Sequence, residues 1–177
     1  INAFGYHNIS TCQARWLADM FGQEYYEDFR DITTTFYHQS FSRKPELMGW
    51  GYQWSTNKHG KERNTDTDFS FTNYREADTR LAEYDRIGTK VDSILQQLPE
   101  SEKAGFYQLL YYPVKGCEYL NKMVLYGQKN RWYALQGRAA TDSIAKEAKA
   151  CYDSLQIITQ GYNSLLNGKW NPVMTTR

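Results

Sequence analysis

The chain has 177 residues and a formal net charge of +1, with 23% charged residues. This length fits one domain, and a charge this close to neutral lacks the basic surface of a nucleic-acid-binding protein. No run of about 18 apolar residues occurs, so no membrane-spanning helix is predicted. Fifteen residues are tyrosines, which suits either tyrosine-rich helix packing or a surface that contacts sugar.

The N-terminus and the cysteines carry little information about the cellular compartment. The sequence INAFGYHNIS has neither the basic start nor the apolar run of a signal peptide, and it lacks an initiator Met. We therefore expect a processed chain or a fragment of a longer one. Cys12, Cys117 and Cys151 form neither a disulfide framework nor a CxxC metal pair. All three fall among predicted helix-core positions, so we expect buried thiols.

Helical periodicity runs through most of the chain and predicts an all-α fold, a five-helix bundle. The first helix is predicted over 10–21, with Ser10 or Thr11 as its N-cap and Gly22 as its terminator. One face of this helix carries Cys12, Trp16 and Met20.

The second helix is predicted over 23–42. Acidic residues in its first turns suit the positive end of the helix dipole; they are Glu24, Glu27, Asp28 and Asp31. Its apolar positions are spaced by four, three and four residues, and they are Tyr25, Phe29, Ile32 and Phe36.

A long loop is predicted over about 49–72, where helical periodicity is lost after Pro45. Loops of this length are usually functional or disordered, and the aromatic residues argue against plain disorder. The stacking rings and cationic donors of this loop suit an anionic sugar. The candidate substrate-binding residues are Tyr52, Trp54, His59 and Arg63. The alternative is a loop whose aromatic residues pin it to a neighbouring domain.

The third helix is predicted to begin at Asn73, with Asn73 as the cap and Glu76 completing a capping-box pattern. Its apolar positions step by threes and fours, and they are Tyr74, Ala77, Leu81, Tyr84, Ile87, Val91, Ile94 and Leu98. Pro99 ends this helix.

Two further helices complete the predicted bundle. The fourth is long, is capped by Ser101, and is predicted to kink at Pro113 because proline lacks the backbone N–H and crowds the preceding turn. The last helix is predicted over about 141–166. Its apolar residues alternate by four and three, as in a bundle seam; they are Ile144, Ala148, Cys151, Leu155, Ile158, Tyr162 and Leu165.

Motifs for chemistry are missing from the sequence. None of the three histidines follows a Glu at the Glu-x-x-His spacing of di-metal bundles, and no phosphate loop or nucleophile elbow occurs. Glu24, Glu27 and Asp28 could form a glycosidase acid–base pair, but in a first helical turn they are more typical of surface charge. A Cys–His nucleophile pair stays open, because such residues meet only in space. We predict no catalytic residue, no metal site and no cofactor in this chain.

Five runs of sequence, in order, resemble the helical domain of glycoside hydrolase family 115, the xylan α-1,2-glucuronidases. The runs are RWLADMFG (15–22), RKPELMGW (43–50), FYQLLYYPVKG (106–116), YALQGR (133–138) and YNSLLNGKWNPVM (162–174). No catalytic motif of the family maps onto these residues.

The resemblance implies a large, multi-domain enzyme that is secreted or periplasmic and removes (4-O-methyl-)glucuronic acid from xylan. It implies catalytic carboxylates on a preceding barrel, a following β-sandwich, and a dimer to which the helical domain contributes. We therefore expect 1–177 to be one excised domain, with 1–9 as an arm from the barrel and 168–177 as a tail toward the sandwich. Glucuronoxylan and aldouronic acids are the expected ligands. Two alternatives are a stand-alone protein-interaction bundle and an aromatic carbohydrate-binding module.

Overall fold

The computed structural model describes residues 6–48, 54–57, 60–63 and 66–175, and describes side chains within 11–48 and 66–175. The fold is all-α, as predicted. The helices are α1 (Tyr6–Phe21), α2 (Tyr26–Ser42), α3 (Glu76–Gln97), α4 (Glu100–Phe106), α5 (Tyr112–Leu135) and α6 (Thr141–Gly168). A π-helical segment, Tyr107–Tyr111, joins α4 to α5, so that these three segments form the predicted long fourth helix. None of the helices described is long and apolar enough to cross a bilayer.

The main core lies where α1, α2 and α3 meet the fourth helix. Its largest members pack as aromatic pairs, with the ring centroids of Phe21 and Phe106 5.4 Å apart at an edge-to-face angle. A smaller core under the long loop contains Met48, Leu81 and Leu125, all buried. The predicted face of α2 is confirmed, because Phe29 and Ile32 are buried and Tyr25 and Phe36 pack against them.

The predicted start and face of the first helix are wrong. The helix begins at Tyr6 rather than at Ser10. Its buried row is Ala14, Leu17, Ala18 and Phe21. Trp16 is 52% exposed, Met20 is also exposed, and Cys12 is an exposed thiol instead of a buried one. The physical reason is that α1 carries two apolar rows, and only the row with small alanines meets the neighbouring helices.

The predicted face of α3 is buried from Ala77 to Leu98, but its first turn differs from the prediction. Arg75 has a left-handed φ of 52°, so the helix begins only at Glu76 and Tyr74 is 95% exposed. Asn73 does not cap it: the Asn73 backbone N donates to Ser70 Oγ at 2.9 Å, and Ser70 N donates to the Glu76 carboxylate at 3.1 Å.

Pro113 lies in the first turn of α5, directly after the π-helical segment. Proline costs little in a first turn, where its missing N–H would lack an intrahelical partner. The bend predicted at this position is therefore absorbed by one widened turn. Ser101 is not the cap of the fourth helix, because α4 begins at Glu100 with Pro99 as its N-cap.

The last helix, α6, packs along α5 through its predicted seam. Cys151 and Ile158 are buried in this seam. The Tyr107 hydroxyl donates to the Ile158 carbonyl at 2.9 Å, which ties α6 to the π-helical segment. Regular helical geometry stops before Leu165, and Leu166 has a left-handed φ of 52°. The end of the helix therefore agrees with the predicted bound near 166.

Candidate functional site

The loop predicted over 49–72 contains a short antiparallel hairpin. Strand β1 (Trp54–Asn57) pairs with β2 (Gly60–Arg63), and Trp54 lies opposite Arg63 in the register. Two of the four candidate residues are thus brought together along the backbone. The other two, Tyr52 and His59, lie outside the described residues.

Residues 66–71, called the returning limb below, lead back from the hairpin to α3 and are held on α5 by Gln128. The Gln128 Oε1 atom accepts from the Thr67 backbone N at 2.9 Å and from the Thr67 hydroxyl at 2.8 Å. The Gln128 Nε2 atom donates to the carbonyls of Thr67 and Phe69 at 3.1 and 3.2 Å. One side-chain amide therefore satisfies four polar atoms of the limb. Thr67, which supplies most of these atoms, is buried.

Further contacts hold the two ends of the returning limb. Asp66 pairs with Arg131, whose Nε donates to Oδ1 at 2.8 Å. Phe71 stacks on Trp132, with ring centroids 6.1 Å apart and ring planes 12° apart. The base of the predicted loop is thus packed on α5 by polar and aromatic contacts.

The buried guanidinium of Arg80 joins the end of α2 to α5. Its Nη1 donates to the Gln39 carbonyl at 2.9 Å and to the Ser42 hydroxyl at 2.8 Å. Its Nη2 donates to the Arg43 carbonyl at 3.1 Å, and its Nε to Asn121 Oδ1 at 2.6 Å. A positive charge at these carbonyls complements the negative end of the α2 dipole, so the end of the helix offsets part of the cost of burying the charge.

Arg80 also contacts the returning limb, since its guanidinium lies 4.7 Å from the centre of the Phe69 ring. The long loop begins after α2 and returns to the bundle along this limb. Arg80 therefore contacts the segment that precedes the loop and the limb that follows it. Sequence analysis missed Arg80. The available signal was a charged residue three positions after Ala77 and four before Tyr84, in the middle of the apolar row of α3.

A second buried polar cluster joins α3 to α5. The Lys115 ammonium lies 2.8 Å from Asp92 and 2.7 Å from Glu118, and Glu118 also pairs with Lys122 at 2.6 Å. Lys122 pairs in turn with Asp85. Burial alone would lower the pKa of Lys115, but its hydrogen bonds to Asp92 and Glu118 raise that pKa above the usual range. The ammonium groups and carboxylates of this cluster pair with one another across α3 and α5, so the cluster is structural.

The thiols of Cys117 and Cys151 are poor nucleophiles. Burial raises the pKa of Cys117 to about 12 and also raises the pKa of Cys151. A reactive thiol needs the opposite shift, because only the thiolate attacks. Within the described ranges, moreover, no group of three His, Cys, Asp or Glu side chains could hold a metal ion.

Comparisons with known proteins connect this fold to a glycoside hydrolase. No protein-family model matches the sequence, and no curated protein matches it. Among solved structures, the chain is similar to BtGH115A, a family GH115 4-O-methyl-α-glucuronidase described as having specificity for decorated arabinogalactans. The TM-score is 0.75 at 26% sequence identity, over 94% of this chain. The chain spans only 20% of the length of that enzyme's chain. The likeness supports a relation to family GH115 and corresponds to one part of a larger enzyme.

Proposed function

We propose that this chain is the helical accessory domain of a secreted or periplasmic α-glucuronidase that removes (4-O-methyl-)glucuronic acid side chains from a plant polysaccharide. The observation that carries the proposal is the likeness to the GH115 enzyme, which extends over nearly the whole of this chain but only a fifth of the other. A match of this extent is expected of one domain of a larger enzyme. In this proposal the domain supports a catalytic site that lies on another domain of the same polypeptide.

The buried charges of the described residues support a non-catalytic role. The Arg80 guanidinium donates hydrogen bonds to carbonyls at the end of α2, and the Glu118 carboxylate forms ion pairs with two lysines. A catalytic carboxylate pair needs two carboxyl groups facing a substrate across about 5–10 Å. We therefore assign the catalytic carboxylates to a preceding barrel, to which 1–9 would connect, and we assign 168–177 to the connection with a following β-sandwich.

The outer face of the α1–α2 pair suits packing against such a neighbour. Trp16 and Met20 are exposed on α1, and Tyr37 and Phe41 are exposed on α2. The two helices are joined on this side, because Gln13 Nε2 donates to the Tyr37 hydroxyl at 3.3 Å. Exposed apolar groups on one face usually mark a surface that another protein surface covers. This face is our candidate for the contact with the barrel.

The hairpin is our candidate for the part of this domain that reaches the substrate channel. Trp54 and Arg63 lie opposite each other in its register, and Tyr52 and His59 belong to the same loop. A ring can pack on the apolar face of a sugar while a guanidinium binds the carboxylate of a uronic acid. The returning limb, packed on α5, gives this loop a fixed base.

The substrate is proposed as glucuronoxylan or its aldouronic acid fragments, and the parent enzyme is proposed to be a homodimer. Because the GH115 relative is described with specificity for decorated arabinogalactans, a uronic-acid-decorated arabinogalactan is the second substrate to compare. Light scattering of the complete enzyme would give its mass in solution, and a monomeric mass would contradict the dimer.

The decisive test compares this chain with the complete polypeptide that contains it. Both are assayed for release of 4-O-methylglucuronic acid from aldouronic acids and from decorated arabinogalactan. The complete enzyme is expected to release the acid, and the isolated chain none. Release by the isolated chain, or an upstream reading frame that encodes no barrel, would overturn the proposal.

A second measurement tests the role of the hairpin. In the complete enzyme, Trp54→Ala and Arg63→Ala are expected to lower kcat/KM by about tenfold each, the loss that corresponds to about 1.4 kcal/mol of transition-state binding. Arg30→Ala, on an exposed part of α2, is the matched control and should leave kcat/KM unchanged. Equal values for all three variants would exclude the hairpin from the substrate channel.

A further inference from the structure

The C-terminal end of α5 carries a cluster of three aromatic rings outside the hairpin. Phe71 of the returning limb stacks on Trp132, with ring centroids 6.1 Å apart. Tyr133 lies beside Trp132, with ring centroids 5.5 Å apart. Trp132 and Tyr133 are both partly exposed, so this cluster lies at the surface.

Two cations lie over these rings. The Lys129 ammonium is 5.5 Å from the centre of the Phe71 ring and 5.7 Å from that of Tyr133. The Arg138 guanidinium is 5.3 Å from the centre of Trp132 and 4.5 Å from that of Tyr133. Both distances for Arg138 fall within the range of an attractive cation–π contact.

Backbone geometry at the end of α5 places Arg138 over the rings. Gly137 has a left-handed φ of 63°, which glycine adopts without strain. The chain then turns back, and the Arg138 backbone N donates to the Tyr133 carbonyl at 3.0 Å. This is the usual glycine-terminated helix end. The contacts with the rings of Trp132 and Tyr133 favour this position of the guanidinium before any ligand arrives, which lowers the entropic cost of binding.

The donors of Arg138 remain available to a ligand. The two other cations at this end of α5 already have carboxylate partners. Arg131 is paired with Asp66, and the Lys129 ammonium lies 3.9 Å from Asp78. Among the described residues, by contrast, no carboxylate or other acceptor contacts the Arg138 guanidinium. Stacking occupies the face of the guanidinium and leaves its edge of N–H donors free, and that edge matches a carboxylate in two-pronged geometry.

We propose that this cluster, formed by Arg138, Lys129, Trp132, Tyr133 and Phe71, binds the carboxylate of a uronic acid residue in an acidic saccharide chain. Arg138 donates to the carboxylate, Lys129 adds positive charge, and the edges of the rings of Trp132 and Tyr133 contact the sugar. The choice of a saccharide rests on the proposed function, whereas the choice of a carboxylate rests on the geometry of Arg138. None of its residues is among Tyr52, Trp54, His59 and Arg63, and it lies where the returning limb packs on α5.

Calorimetric titration of the 177-residue chain tests this assignment. The probe is an aldouronic acid with one 4-O-methylglucuronic acid on a xylose backbone, and the matched ligand is its methyl ester, in which one added methyl group removes the charge. The acid is expected to bind at least about tenfold more tightly than the ester, the factor that one charge-assisted hydrogen bond supplies. Arg138→Gln should remove most of this difference.

Controls separate the site from general surface charge. Arg30→Gln, on α2, should leave the affinity for the acid unchanged. Lys129→Gln should weaken it by a smaller factor than Arg138→Gln does, because Lys129 lies near Asp78. Equal binding of acid and ester, an unchanged affinity in Arg138→Gln, or equally tight binding of inorganic sulfate would each overturn the proposal. The hydrolysis assay of the complete enzyme decides the proposed function separately, so the two can fail independently.

Discussion

Gly88 on α3 lies directly against the carboxylate of Glu118 on α5, since a Cβ at residue 88 would stand 2.8 Å from the Glu118 Cδ atom. The same Cβ would be 3.2 Å from the Lys115 ammonium nitrogen. Glycine costs stability inside a helix, but here it allows α3 to approach the buried ion pairs of α5. The distance between α3 and α5 at this contact and the ion pair of Glu118 with Lys115 therefore depend on each other.

Gly88→Ala is expected to destabilise the chain by about 1–3 kcal/mol, because the added methyl group overpacks the contact with Glu118. The measurement is the free energy of unfolding in urea. Gly116→Ala is the matched control, since a Cβ there would meet no atom within 4 Å. It should stabilise α5 slightly through helix propensity. Equal stabilities of the two variants would show that α3 and Glu118 are not in close contact.

Two adjacent isoleucines on α6 test the orientation of the seam. Ile158 is 7% exposed and Ile157 is 68% exposed. Ile158→Ala should therefore cost about 2–4 kcal/mol of unfolding free energy through the cavity it leaves, and Ile157→Ala less than about 0.5 kcal/mol. Thermal and urea denaturation of both variants would check this. If Ile157→Ala were the costlier change, the face of α6 that packs on α5 would be the opposite one.

Gln128→Leu should loosen the returning limb without unfolding the bundle. Four hydrogen bonds to Thr67 and Phe69 are lost, and unpaired polar groups of the buried Thr67 should cost about 1–3 kcal/mol. Hydrogen exchange at the Thr67 amide is expected to accelerate, while exchange in the centre of α3 stays slow. Gln160→Leu, at an exposed position of α6, should change neither rate. Unchanged exchange at Thr67 would mean that other contacts suffice to hold the limb.

Alkaline pH should destabilise the fold through Tyr84. Burial raises the pKa of Tyr84 to about 12, whereas an unfolded tyrosine titrates near a pKa of about 10. Between these values the unfolded chain loses a proton that the folded chain keeps. The stabilisation is therefore complete below pH of about 10 and is lost as the pH rises toward about 12.

We expect Tyr84→Phe to reduce the fall in unfolding free energy over that interval by about 1–3 kcal/mol. The measurement is urea denaturation at a series of pH values. Tyr74→Phe is the matched control, because Tyr74 is 95% exposed, and it should leave the slope of stability against pH unchanged. A slope that is the same in Tyr84→Phe and in the parent chain would contradict the buried, neutral hydroxyl.

The helices and most of their buried faces follow from the sequence by itself. On α3 the row from Ala77 to Leu98 is buried as its spacing predicts, and on α6 the seam through Cys151 and Ile158 faces α5. Such periodicity is a local property, because residues three and four apart lie on one side of any helix. The position of Pro113 likewise predicts the bend in the fourth helix, which the π-helical segment before it absorbs.

Only the tertiary structure decided which apolar row of α1 is buried and which polar side chains enter the core. Trp16 and Leu17 are both apolar, and the helices that α1 meets leave one exposed and bury the other. Arg80 is buried because the end of α2 supplies carbonyl acceptors about forty residues away in sequence. Gln128 holds a limb about sixty residues away. Contacts of this kind join residues that no local pattern connects, so the base of the candidate site is a property of the fold.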